Sequence, residues 1–435
     1  MNKIYGIDLG TTNSLLGYNG TLLTGLVPSV VNLQSSLAGS AVVDDPDAIR
    51  SFKVDISLFK EGEASVAASA RVLSQLVKES KQAVKRVVIS VPAYFSDNQR
   101  QATRKAAELV GLEVVSLINE PTAAAIAISE KRQSLSVVFD LGGGTFDVSI
   151  VDSRLGDYDV QATDGCILGG DNFDHAIMRW VIREAGIKVH HFFPNELAKL
   201  KFACCSAKVQ IQKTGQPVNI DCSSFDAGVV VLTVEKYVEL MKHTFAKAIQ
   251  KARGVIMDYI PEGEDYDLLF VGGSTRCPYL REWVCAELSH TATPMFYDPD
   301  CIVAIGASMY GKMVEDGSAE LNVSDVTKAL SVGLADGTCH VIIPRNSKIP
   351  VSDTTIAYNH IESSKLRATL WQGDNLLTSD NEFIGTLLYD YGRVVAPGEG
   401  EVIVGVSVDA DGTIHFSCKE LLREPVEVVL ERVNR

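Results

Sequence analysis

The chain has 435 residues, too many for one hydrophobic core, so two to four domains are expected. Hydrophobic residues make up 46% and charged residues 22%, the balance of a folded protein and not of a disordered one. A net charge of −15 argues against a general nucleic-acid or anionic-membrane surface, while leaving room for a local basic pocket for phosphate.

In chain order, residues 1–6 lead into a strand-like segment with no apolar signal core. No run of about 18 apolar residues follows, so no membrane span is expected and the compartment reads as cytoplasmic. Strand-like runs at 87–91, 136–139, 148–151 and 268–271 alternate with helical ones. Residues 65–81 are helical in period, with Val66, Leu73 and Val77 near one face. Ser96 and Asp97 start a helix that Gly111 ends, and Pro121 stands where a first helical turn tolerates it. The longest helical run is 233–259, with Tyr237, Leu240, Met241, Phe245, Ala248, Ile249 and Ala252 at helix spacing. Strands alternating with helices mean an α/β fold. Residues 315–324 are polar and read as a linker. After about residue 322, short β runs split by turn signals such as Asp336-Gly337 and Asp374-Asn375 predict a small all-β domain. The nine cysteines form no C-x-x-C pair and no metal-ligand spacing. Adjacent Cys204 and Cys205 read as small residues on a helix face in a reducing compartment.

Two stretches share one design: I-D-L-G-T-T-N-S at 7–14 and F-D-L-G-G-G-T-F-D at 139–147. Each has a strand ending in Asp, then a tight turn of Gly and Thr, then a returning strand. Glycines let backbone N–H groups approach an anion closely, and Thr11, Thr12 and Thr145 add hydroxyl donors. Asp8 and Asp140 at the strand ends suit a hydrated Mg²⁺, which takes few direct protein ligands. Paired hairpins clasping one phosphate chain account for the duplication; no Walker loop is present. A third glycine signal, V-G-G-S-T-R at 271–276, follows a strand and brings Arg276 to where it can stack on a base. Gly169-Gly170-Asp171 opens another helix.

These motifs, together with V-P-A-Y-F-S-D-N-Q-R-Q-A-T, N-E-P-T-A-A-A, L-G-G-D-N-F-D, I-P-R-N-S-K-I-P and V-D-A-D-G-T-I, resemble in order and spacing the DnaK-type seventy-kilodalton heat-shock chaperones. The resemblance covers nearly the whole chain. It implies an α/β actin-like ATPase domain of two lobes with duplicated phosphate loops at 1–316, a linker at 317–324 and a substrate-binding β-sandwich at 325–435. It also implies ATP or ADP with Mg²⁺ as ligands and ATP hydrolysis coupled to the binding of unfolded or client polypeptide. A J-domain co-chaperone and a nucleotide-exchange factor are possible further partners; nucleic acid and membrane are not. By position, Asp8 and Asp140 order the Mg²⁺ shell through water. Gly10, Thr11, Thr12, Asn13, Gly142, Gly143, Gly144 and Thr145 hold phosphates, with Gly169 and Gly170 beside them. Lys53 stabilises the γ-phosphoryl, and Glu120, Asp147 and Thr145 complete the catalytic set. Lys208, Gly272, Gly273, Ser274, Arg276 and Asp300 form the nucleoside pocket and its surroundings. Pro92 and Arg100 match the family's relay between ATP site and peptide domain. Read without the family, Lys53 is a solvated lysine beside Asp55, Pro92 a turn residue and Arg100 a helix-surface charge.

The chain departs from the family pattern in several places. Residues 15–65 and 187–232 are abbreviated, which bears on exchange-factor contacts. Cys205 stands where the family has a ribose-binding acid and Val209 where it has a base-stacking arginine, so adenosine should be held less tightly and ATP distinguished less sharply from GTP. Leu321-Asn322-Val323 is a thin version of the linker's leucine run. The loop before Ile343 is short, and the end at 428–433 is that of a short, lidless member of the HscC-like kind. Two other classes remain open at this point: a nucleotide-gated scaffold that binds one partner and hydrolyses little, and a small-molecule kinase on the same fold.

Overall fold

The computed structural model describes residues 3–43, 45, 47–57, 62–129, 134–154, 158–188, 194–288, 295, 297–318, 326, 328–345, 347–409, 412–420 and 430–431. Two sheets repeat one arrangement. In the first, Ile4–Leu9 folds back into Asn13–Tyr18 and pairs in parallel on its other side with Arg86–Val91, with Glu113–Asn119 beyond. In the second, Leu135–Leu141 folds back into Phe146–Asp152 and pairs in parallel with Asp267–Val271, with Asp159–Cys166 outside the hairpin. Both leading strands are apolar almost throughout because helices cover both faces of their sheets, so alternation is not required of them.

Eight helices surround the sheets among the described residues: α1 (Glu63–Ser80), α2 (Asp97–Glu108), α3 (Glu120–Ser129), α4 (Gly170–Glu184), α5 (Pro194–Thr214), α6 (Val234–Tyr259), α7 (Pro278–Glu287) and α8 (Ile302–Asp316). Their starts follow local chemistry. Ser96 caps α2, accepting from Gln99 N while the Gln99 side chain accepts from Ser96 N. Thr233 Oγ1 accepts from Lys236 N at the start of α6. Of the periodic residues of α6, Tyr237, Met241, Phe245, Ala248, Ile249 and Ala252 are buried against the second sheet as their spacing implies, and Leu240 is partly buried beside them. Helices α3 and α8 cross so closely that a Cβ on Gly306 would collide with the Ala123 carbonyl. Their small and apolar residues join Ile4, Val88, Val138 and Leu269 from the two sheets in one cluster, which binds the lobes together.

The C-terminal part is a sandwich. One sheet runs in the order Cys339–Ile343, Leu330–Gly333, Ser363–Gln372, Glu382–Val395, Leu430–Glu431; the other runs Val351–Ala357, Val402–Val408, Ile414–Glu420. Ile343, Ile349, Leu370 and Val406 are all in its core. The fold class is thus the expected one, two α/β lobes followed by a β-sandwich. The polar segment read as linker begins later than Glu315: that residue and Asp316 end α8, where Glu315 is ion-paired with Lys312 and accepts from Ile4 N. Leu321-Asn322-Val323 lies outside the described residues. The first abbreviated stretch holds short strands, among them Val31–Asn32 and Leu37–Ala38, and the second holds α5 followed by the short strands Val218–Asp221 and Val229–Leu232.

Candidate active site

The two hairpin loops face each other across a cavity of about 610 Å³. An added Cβ at Gly144 would lie 2.8 Å from Thr11 Cγ2, and one at Gly143 would collide with Thr12 Oγ1, so only glycine allows this approach. Ser29 Oγ donates to Gly10 O (2.7 Å), and Gly10 N donates to Ser14 Oγ (3.2 Å), fixing the first loop. The second is held by Gly142 N to Thr145 O (3.0 Å), Ser274 Oγ to Gly142 O (2.8 Å), Gly170 N to Gly142 O (3.0 Å) and Asp171 N to Gly143 O (2.7 Å). Segments 142–145, 169–171 and 272–274 therefore interlock.

At the inner end, strand register brings carboxylates together. Asp8 lies beside Ser90, whose hydroxyl donates to it at 2.8 Å, and Asp140 is the cross-strand partner of Asp147. Glu120, the first residue of α3, is 2.5 Å from Lys53 Nζ. Lys53 is 3% exposed, so the reading as a solvated lysine beside Asp55 does not hold. Burial, then the charge of Glu120, pushes Asp8 up to about 6 and raises Asp140 and Asp147 well above the usual carboxylate range. For Lys53, burial favours loss of the proton, but Glu120 and Asp8 outweigh it and its affinity for the proton rises. Four carboxylates share one buried lysine, and Asp147 Oδ2 is buried without a hydrogen bond. This donor set fits a divalent cation. Among the described residues no three such groups are arranged to hold a metal ion by themselves.

The outer end has two walls. On α5, Cys205, Lys208, Val209 and Gln212 share a helix face. Lys208 is ion-paired with Asp174 (2.6 Å). Opposite are Gly272, Gly273, Ser274, Arg276 and Asp300. Gly272 has φ +82°, and a Cβ on Gly273 would lie 2.8 Å from Asp300 Oδ1. Arg276 donates to Asp300 (2.6 Å) and to Asp298, which pins the guanidinium at the cavity edge.

The cavity lining thus gathers Asp8, Gly10, Thr11, Thr12, Asn13, Lys53, Glu120, Asp140, Gly142, Gly143, Thr145 and Gly170 with the outer wall just described. Asp147, Gly144 and Gly169 stand behind it. Asp147 is 1% exposed and accepts from Tyr94 N (3.4 Å). A Cβ on Gly169 would collide with the Gly143 carbonyl, so this glycine is required by packing. Pro92 and Arg100 lie apart from the cavity. Arg100 is buried, not a helix-surface charge, and donates to Phe95 O (3.2 Å), Ala93 O (3.3 Å) and Asn119 Oδ1 (2.7 Å).

Sequence reasoning misses several residues that shape the site. Ser29 and Ser90 carry no motif signal of their own, and Ser14 ends the first glycine–threonine motif without a role assigned to it there. Ser51 has φ +54° and hydrogen-bonds to Asp171 across the cleft; its position two residues before Lys53 is the only hint. Gln212 falls one helical turn beyond Lys208 on the same face, which heptad spacing along α5 would reveal.

A family model described as Hsp70 protein matches residues 28–431. The chain is 31% identical to a chaperone protein DnaK of Ureaplasma parvum serovar 3 over 96% of its own length and 76% of the relative's. It is also 31% identical to those of Mycoplasmoides gallisepticum, over 96% and 78%, and Guillardia theta, over 97% and 77%.

Proposed function

Because this chain belongs to the Hsp70 family of ATP-dependent chaperones, we propose that its interlobe cleft hydrolyses ATP and that hydrolysis governs the hold of the β-sandwich on client polypeptide. The observation that carries the assignment of the site is the buried Lys53–Glu120 pair between two facing glycine–threonine loops. Hsp70 proteins bind ATP or ADP with Mg²⁺. In this chain Asp8 and Asp140 would hold the ion through its waters, and the ion would supply charge neutralisation at the phosphates. Backbone N–H groups and hydroxyls of 10–13 and 142–145 hold the phosphate chain. Lys53 presents its ammonium to the transferring phosphoryl group, where charge develops in the transition state. Glu120 orients Lys53 and, with Thr145, a water for attack; Asp147 acts from behind the wall by holding the 93–95 turn.

The same turn leads to the second domain. Asn119 precedes Glu120 and accepts from Arg100; Arg100 holds the carbonyls of Ala93 and Phe95; Ser96 Oγ donates to Glu382 Oε1 of the sandwich at 2.7 Å. Asp97 N donates to Gln372 Oε1 (3.0 Å), and Arg345 donates to Thr163 O (2.6 Å). We assign Pro92 and Arg100 to this path. Exposed Ile356, Tyr358 and Ile361, at and beyond one strand end, are the apolar groups we assign to the client. DnaK-type chaperones bind unfolded polypeptides and co-chaperones; a J-domain protein and an exchange factor are the co-chaperones proposed here. No helix among the described residues is long and apolar enough to cross a membrane, and we propose the cytoplasm, as for DnaK homologues.

Single-turnover ATP hydrolysis with and without a panel of unfolded peptides tests the reading. Turnover stimulated by several unrelated peptides is expected. Tight ATP binding with no hydrolysis under any condition would leave a nucleotide-gated scaffold.

A further inference from the structure

Lys53 stands in a tight turn that closes on itself through Val54 N to Ser51 O (3.3 Å), Asp55 N to Phe52 O (3.2 Å) and Ile56 N to Lys53 O (3.4 Å). Phe52 and Ile56 root this turn in the core of the first lobe. On either side of Lys53 the turn touches the second lobe. Ser51 Oγ donates to Asp171 Oδ2. Val54 Cγ2 reaches the second glycine loop so closely that an added Cβ at Gly144 would lie 2.7 Å from it. Asp171 is itself fixed to that loop, its N–H donating to Gly143 O at 2.7 Å. Ser51 has φ +54°, a left-handed backbone that costs serine free energy and that glycine adopts freely. Glycine here would relieve the backbone, and what it would lose is the hydroxyl.

We propose that Ser51 is a positioning residue for hydrolysis, its bond to Asp171 aligning the turn that carries Lys53 with the phosphate loop of the second lobe. The ion pair with Glu120 lies within the first lobe and holds Lys53 there however the second lobe sits. The phosphate chain in this reading lies against both loops, so the lysine needs a register to the second one. Two contacts provide it. Val54 against Gly144 limits the approach but fixes no direction, whereas a hydroxyl donating to a carboxylate is directional. Catalysis requires placement to within about 0.5 Å, so loss of this bond shows in the rate and not in nucleotide affinity.

The inference rests on the nucleotide reading of the cleft. Single-turnover hydrolysis and calorimetric titration with MgATP, both on the full chain, separate the two. Ser51→Gly should slow hydrolysis by about tenfold to a hundredfold, with ATP affinity within about threefold of wild type. Its backbone is relieved, so it should melt within about 4 °C of wild type. Ser51→Asn tolerates the left-handed backbone and offers Asp171 an amide N–H, so it should recover most of the rate. Asp171→Ala should slow hydrolysis to a similar degree, and the double variant Ser51→Gly/Asp171→Ala no further, because the two residues act as a unit. A Ser51→Gly rate within about threefold of wild type, a loss confined to ATP affinity, no recovery in Ser51→Asn, or effects that multiply in the double variant overturns the assignment and leaves the cleft reading standing. A wild-type protein that neither binds nor hydrolyses MgATP overturns both.

Discussion

Replacement of Lys53 by alanine separates charge balance from catalysis in this cleft. Among the described residues the lysine is the cation buried beside Asp8, Glu120 and Asp140, with Asp147 next to Asp140, and its Nζ lies 2.5 Å from Glu120. Removing one member of a buried ion pair strands the other, at a cost of about 3–5 kcal/mol. Domains hold about 5–15 kcal/mol in total, so the variant should fold but melt distinctly earlier. Loss of a charge-stabilising group at the transferring phosphoryl should in addition slow hydrolysis by about 10²–10³. The double variant Lys53→Ala/Glu120→Gln removes the stranded charge, so it should recover most of the melting temperature and none of the rate. Single-turnover hydrolysis beside thermal unfolding, each with and without MgADP, reads both quantities. A single-turnover rate for Lys53→Ala within about threefold of wild type would refute the reasoning, because a merely structural lysine lacks the catalytic factor of 10²–10³. Joint recovery of rate and stability in the double variant would refute it as well.

At Gly169, alanine would drive a methyl into the backbone of Gly143; a stability loss of about 1–3 kcal/mol by denaturant titration and a marked loss of nucleotide affinity by calorimetry are expected. Val209→Arg should tighten ATP by about twofold to thirtyfold, the worth of one cation–π contact; no gain would mean that this face of α5 does not meet the base. Asp8 titrates near 6, raised by burial and then by Glu120, so a cation reaching the site must displace a proton below that pH. Affinity for Mg²⁺-nucleotide should fall as pH drops through about 6, with proton release measurable by calorimetry in buffers of different ionisation enthalpy. The sign is opposite for the ligand-free chain. The folded value lies above the unfolded one near 3.9, so this group's contribution to stability is full below about pH 4 and lost as pH rises through 6; the chain without ligand should melt higher at pH 5.5 than at 7.5.

Much of the architecture is legible from neighbouring residues alone. The paired strand–glycine–threonine hairpins, the caps at Ser96 and Thr233, the buried stripe of α6 and the change to short strands after the second lobe all arise from patterns a few residues long, and the motif order reached as far as the family. Local geometry sets these features, since a turn, a cap or a helix face is decided within one or two turns of chain. Only the tertiary structure decided what the motif residues do to one another. Lys53 and Glu120 are 67 positions apart, and Ser51 and Asp171 are 120; each pair meets because two sheets set their hairpins face to face over one shared core. Strand register sends Asp147 behind the wall, although its motif reads like that of its neighbours. Burial turns Arg100 from a surface charge into the clasp of a turn.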